Sequence, residues 1–189
     1  MGDALKVINP DPVISFTDMR GGQHVIERWD LIIAHPPCTS LSVAGARWFT
    51  EGRKPWSLQD EAADFFMKFV NADCDHIAVE NPISVMSTRY RKPDQIIQPY
   101  WFGHAYSKKT CLWLKNLPKL EPTNIVEPVI IKDKNGVNYS GAAYYAVKDG
   151  KILSWNDPET AKIRSKTPEG LAKAIAEQWS EYLMNEGIE

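Results

Sequence analysis

No two of the chain's three cysteines, Cys38, Cys74 and Cys111, stand at a spacing that a metal site uses, and three are too few for a disulfide framework. No apolar run reaches the roughly 18 residues that a membrane-spanning helix requires. The first residues show no basic segment followed by an apolar core, so no secretion signal is read there. These features together imply a reduced, cytoplasmic protein with no membrane partner. Net charge is also small: 22 basic against 24 acidic residues leaves −2, which removes a whole-chain electrostatic argument for nucleic acid.

What is present is unevenly distributed. Between Met86 and Lys119 stand seven Lys or Arg and one acid, Asp94, so a local basic surface or an ordinary solvated face fits equally well. Arg89, Arg91 and Lys92 either track a phosphate backbone or simply face water. With 189 residues, 43% of them apolar, and seven tryptophans, a single domain with a substantial core is expected. Trp48, Trp56, Trp101 and Trp113 are candidates for base stacking. Trp113 and Trp179 are expected to be buried.

The segment "DLIIAHPPCTSLSVAGARWF" (Asp30 to Phe49) joins a compact apolar run to two prolines and a cysteine. "WDLIIAH" suits an inner strand of a parallel sheet. "SLQDEAADFFMKFVNA" reads as a helix. Ala62, Phe65, Phe66, Phe69 and Val70 fall on one face, and Ser57 with Asp60 makes a variant capping box. "HIAVENP" is a second buried strand ended by Pro82. Strand, helix, strand predicts a crossover unit and a parallel sheet. "VISFTDMRGG" reads as a strand to Asp18 and a turn, and "TCLWLKNLP" as a further strand. Turn signals at Asn135-Gly136 and Asp149-Gly150 predict an antiparallel meander over 127–156. In the closing helix Thr167 is expected to cap, Pro168 to take the first position, and Leu171, Ile175, Trp179 and Leu183 to face inward.

In a parallel sheet, ligands lie beyond the carboxyl ends of strands. Cys38 follows such an end on a loop whose shape Pro36 and Pro37 restrict by fixing two φ angles. Glu80 ends the next strand. If those strands are neighbours, thiol and carboxylate share a crevice able to attack an electron-poor ring. An inert, buried cysteine is the competing reading. A Cys–His hydrolase would need His35, His76 or His104 as base, and none of them is marked by its local sequence. A zinc deaminase would want Pro-Cys-x-x-Cys, which Thr39, Ser40 and Leu41 break.

The loop "PPCTSLSVAG" resembles the catalytic loop of cytosine-C5 DNA methyltransferases, PPCQxFSxAG, through Pro36, Pro37, Cys38, Ser42, Ala44 and Gly45. "ENP" at 80–82 resembles their ENV triplet, and "FGHAYSKKTCLWL" a diverged YGxPQxRxRxxxV segment. The stretch from about Val13 to Trp179 is similar to small phage- and prophage-type members of that family, through "DLIIAHPPCT", "RWF", "VENP", "DQIIQPYWFG", "TCLWLKNLPKLEPTN" and "AEQW". The resemblance implies a truncated Rossmann-like α/β fold with a mostly parallel sheet and helices on its faces. Its core would be 13–126 and 160–186, with 127–156 inserted. It implies Cys38 as nucleophile at C6 of a cytosine and Glu80 as binder of the base edge. Pro36, Pro37, Ser42, Asn81 and Lys108 would bind substrate or shape the loop, and Arg47 suits phosphate. Asp18 would meet the adenine edge of S-adenosylmethionine. DNA or a nucleotide in a bacterial host's cytoplasm is the implied partner.

Three departures accompany it. The Gly-rich turn that cradles the methionine part of the cofactor has no counterpart, since residues 1–14 hold one strand at most, so a partner chain or second copy would have to complete the pocket. Tyr106, Lys108 and Thr110 replace Gln, Arg and Arg, and lysine lacks a bidentate fork. The target-recognition region is short for a specific duplex interface. The readings left open are a methyl-transferring enzyme, a protein that holds DNA or a nucleotide without methyl transfer, and a non-methylating pyrimidine-modifying enzyme.

Overall fold

The computed structural model describes residues 4–9, 13–18, 20–132, 138–140, 147–148, 151–153 and 157–187. They belong to two compact units: Met1–Gln95 with Cys111–Pro118, and Ile96–Thr110 with Lys119–Glu189.

The chain opens with β1 (Ile14–Thr17) and β2 (Gln23–Ile26), paired antiparallel as a separate two-stranded sheet. Then come β3 (Ile32–Ala34), the short α1 (Arg47–Thr50), α2 (Ser57–Val70), β4 (Ile77–Pro82), α3 (Met86–Arg89), β5 (Gln95–Ile97) and β6 (Thr110–Lys115). β3, β4, β6 and β5 make one four-stranded sheet in that order. β3 and β4 run parallel, with Ile32 opposite Ile77 and Ala34 opposite Val79, and α2 lies in the connection and packs on β4.

The expected mostly parallel Rossmann-like sheet is therefore wrong. The sheet is mixed, with one parallel pair and the rest antiparallel. Parallel neighbours need a crossover of a dozen or more residues, usually helical. Between Pro82 and Thr110 the chain has only the four-residue α3 and three-residue β5, and between Ile97 and Thr110 only a single 3-10 turn, Pro99–Trp101. Nor does the strand read in "VISFTD" join the main sheet. It folds back on β2 through a turn closed by the Asp18 carboxylate, with Gly21 at φ +86°.

The first unit's core is built from the faces that the periodicity marks. Ala63, Phe66 and Phe69 of α2 meet Ile77 and Val79 of β4 and Cys111 and Trp113 of β6 in one buried cluster, with Ala62, Phe65 and Val70 partly buried against it. The capping box does not form. Ser57 is the first helical residue, Trp56 occupies the N-cap without a side-chain bond, and the Asp60 carboxylate pairs with Arg89 at 2.6 Å. The preceding turn already supplies acceptors: the amides of Leu58 and Gln59 donate to the carbonyls of Pro55 and Trp56.

The second unit carries β7 (Ile130–Lys132) paired with β8 (Asn138–Ser140), β9 (Val147–Lys148) paired with β10 (Lys151–Ile152), α4 (Pro158–Ser165) and α5 (Glu169–Asn185). Among the described residues of 127–156 the strands form two antiparallel pairs, and both predicted turn dipeptides lie outside the described residues. Leu171, Ile175, Trp179 and Leu183 are all buried on α5. Pro168, not Thr167, is the N-cap of α5, and the Gly170 amide donates to His104 Nε2 at 3.0 Å. Among the described residues no helix is long and apolar enough to cross a membrane.

Candidate functional site

Cys38 lies four residues beyond the end of β3. Its carbonyl accepts from the amides of Leu41 (3.0 Å) and Ser42 (2.8 Å), which coils the loop into a tight turn. Leu41 is fully buried, and its carbonyl accepts from the Val85 amide at 2.9 Å. The Val43 amide donates to the Ile83 carbonyl at 3.1 Å, and Gln59 of α2 reaches the Ser40 carbonyl at 3.3 Å. The cysteine is thus held from both sides, by the chain after β4 and by α2. Its side chain is partly exposed, whereas Cys74 and Cys111 are buried.

The β3–β4 register carries His35 and Glu80 one residue past the Ala34–Val79 pair. His35 Nδ1 lies 3.4 Å from Glu80 Oε2; the imidazole is half-exposed and the carboxylate largely covered. The next residue, Asn81, is fully buried and donates from Nδ2 to the Pro36 carbonyl at 3.0 Å, while its Oδ1 has no partner among the described residues. Pro36 is buried and Pro37 exposed. The expected neighbourhood of the two strands is realised: the proline–cysteine loop and the Glu80-Asn81 end of β4 are stitched together at one sheet end. On β6, burial and then the negative charge of Glu80 push the Cys111 thiol up to about 11, so that group stays protonated and inert. Burial raises Cys74 in the same direction.

Other expected site residues have local duties. Ser42 Oγ accepts from the Ala44 amide at 3.3 Å and caps a 3-10 turn, Val43–Gly45. The Arg47 guanidinium stacks on Trp48, 4.5 Å from the ring centroid. Lys108 belongs to the second unit, where its Nζ donates to the Arg164 carbonyl at 2.9 Å. The basic run is partly spent internally. Arg91 binds Asp94 at 2.7 Å and the Leu114 carbonyl at 3.0 Å, and Lys115 donates to the Cys74 carbonyl at 2.7 Å.

Asp18 is committed to its own hairpin. Oδ1 accepts from the amides of Arg20 and Gly22 at 2.8 Å each, and Oδ2 is 2.8 Å from His24 Nε2. These bonds take three of the roughly four acceptor positions a carboxylate offers, so most of the hydrogen-bonding capacity of Asp18 is used within the hairpin. The His24 bond, followed by the Gly22 and Arg20 amides, holds the Asp18 carboxyl below the ordinary carboxylate value. A depressed folded value means stabilisation that is complete above the unfolded pKa of about 3.9 and lost as pH falls through the folded one. Acidification below about pH 4 is accordingly expected to loosen the β1–β2 hairpin. Amide shifts of Gly22 and His24, followed by NMR, report it, and Asp18→Asn abolishes the acid transition; an unchanged transition in that variant would assign it elsewhere.

Two cavities of the first unit, about 470 Å³ beside Leu5, Ile8 and Met67 and about 280 Å³ beside Tyr90, Arg91 and Trp113, include neither Cys38 nor Glu80. Among the described residues no group of three metal-ligating side chains converges. Nothing local in the sequence distinguishes His35, and only the strand register brings it to Glu80. Comparison with known proteins finds no matching family model, no matching curated protein and no matching solved structure.

Proposed function

We propose that this protein engages a cytosine ring, in DNA or a nucleotide, by reversible addition of the Cys38 thiolate to C6, with Glu80 at the base edge. The observation that carries the reading is the tether between the two groups: the Asn81–Pro36 bond and the β3–β4 register tie the partly exposed thiol's loop to the Glu80 end of β4. The resemblance of "PPCTSLSVAG" and "ENP" to cytosine-C5 methyltransferase motifs supports the choice of ring. In the step, the S–C6 bond forms as the C5=C6 π bond breaks. The electron pair passes through C4 to N3, where a proton from the Glu80 carboxyl neutralises it, and departure of the thiolate reverses each change. His35 Nδ1, 3.4 Å from Glu80 Oε2, is placed to orient that carboxyl group. An extruded or unpaired base is needed to reach the thiol.

A second reading is non-covalent binding, with neither thiol addition nor methyl transfer; the use of both Asp18 carboxylate oxygens within the hairpin favours it over a methyl-transferring enzyme. A 5-fluorocytosine oligonucleotide separates the two. A covalent adduct, seen by mass spectrometry in the wild type and absent in Cys38→Ser, is expected. Adduct formation that survives Cys38→Ser, or reversible binding with no adduct, sinks the addition chemistry, and the latter result leaves the binder.

A further inference from the structure

The segment that leaves the Cys38 loop, Arg47 to Trp56, carries a cluster of cations laid on aromatic rings. Arg47 and Arg53 both stack on Trp48, their guanidinium carbons 4.5 and 4.9 Å from its centroid. Lys54 Nζ stands 5.7 Å over Phe49, and Phe49 in turn stacks on Trp56 at 5.4 Å and 30°. Phe49 is buried, yet Trp56 leaves 52% of its surface exposed. Three basic residues face one acid here, Glu51, which pairs with Arg53 at 3.0 Å; Arg47 is exposed and has no carboxylate partner among the described residues.

The parts have distinct physical roles. A guanidinium held flat against an indole loses little further entropy when its N–H edge meets an anion, so Arg47 is an ordered charge rather than a waving one. Trp56 has one face backed by Phe49, which fixes the plane of a large exposed ring. A rigid open aromatic face with cations beside it is what a stacked base and its phosphates require. In a duplex the base faces are covered by each other, so only an unpaired base can use Trp56.

We propose that Arg47, Arg53, Lys54 and Trp56 form a platform for single-stranded nucleic acid, feeding the strand toward the Cys38 loop. This names the partner of the proposed thiol chemistry and rests on that reading only for the direction of feeding. A solvated charged turn is the simpler account, and it predicts no difference between single strands and duplexes.

The test uses the full chain and a fluorescent oligothymidylate, which contains no cytosine and so is blind to Cys38 chemistry, alongside a duplex of equal length. The single strand is expected to bind more tightly. Trp56→Ala is expected to weaken it about tenfold while Trp56→Phe stays close to wild type. Because Trp56 is the N-cap of α2, circular dichroism of each variant accompanies the titration. Arg47→Gln is expected to reduce the slope of log affinity against log salt by about 0.7, the share of one phosphate contact on a single strand. Duplex binding as tight as single-strand binding, an unaltered affinity in Trp56→Ala, or an unaltered slope in Arg47→Gln would overturn the platform. Failure of the fluorocytosine adduct with these results intact would remove the thiol chemistry alone.

Discussion

Trp113→Ala is expected to cost about 4 kcal/mol of the first unit's stability, the range seen when a large aromatic is deleted from a packed core. Trp113 is 2% exposed. Its ring meets Phe66 of α2 edge-on at 5.2 Å, and its indole N–H donates to the Arg91 carbonyl at 2.8 Å. Truncation therefore removes apolar burial, an edge-to-face pair and the partner of a carbonyl at once. Neighbouring Ile77 and Val79 sit on a sheet and cannot collapse into the space without bending β4. Trp113→Phe should cost distinctly less, because it keeps a ring against Phe66 and loses mainly the hydrogen bond. Urea denaturation followed by circular dichroism measures both. A loss below about 1 kcal/mol in the alanine variant would mean that α2 does not pack on β6 as described.

Gly170→Ala is the second large effect, and its sign is opposite to helix propensity. Gly170 lies in the first turn of α5, where alanine would ordinarily be favoured by about 1 kcal/mol. A Cβ built there, however, would stand 2.0 Å from the Phe102 carbonyl oxygen and 3.4 Å from His104 Nε2. The first obstacle is backbone and cannot rotate away. The His104 ring is also the acceptor for the Gly170 amide, so a shift of α5 that relieves the clash breaks its cap. A net loss of about 3 kcal/mol is expected, at the upper end of ordinary overpacking. Ala172→Gly, at an exposed position on the same helix, provides the contrast: it should cost about 1 kcal/mol through propensity alone. If Gly170→Ala proves neutral or stabilising by thermal denaturation, the close approach of α5 to the Phe102 loop is wrong.

His104 illustrates why some caps are invisible in a sequence. Thr167 and Ser57 stand where local patterns place a cap, yet neither acts as one. α5 draws an acceptor from a loop more than sixty residues away, and α2 inherits acceptors from the turn before it. The pattern of apolar residues was the better guide, although on α2 Ala62, Phe65 and Val70 are only partly buried and Ala63 is buried without having been expected. Phe66 and Phe69, and then Leu171, Ile175, Trp179 and Leu183, are buried where their spacing puts them. A helix's buried face is written in its own periodicity, while a cap is whichever acceptor the tertiary structure brings near.

The same division runs through the sheet and the candidate site. By itself the sequence determined that "WDLIIAH", "HIAVENP" and "TCLWLKNLP" each hold a strand, that α2 separates the first two, and that a proline-stiffened cysteine follows the first. These are local matters of burial pattern and fixed φ angles. Only the tertiary structure decided that β6 and β5 lie antiparallel to their neighbours, that Asp18 spends its carboxylate on its own hairpin, and that His35 stands against Glu80. Strand direction and register arise from contacts between distant residues. A run of apolar residues carries no mark of which way its neighbour will point.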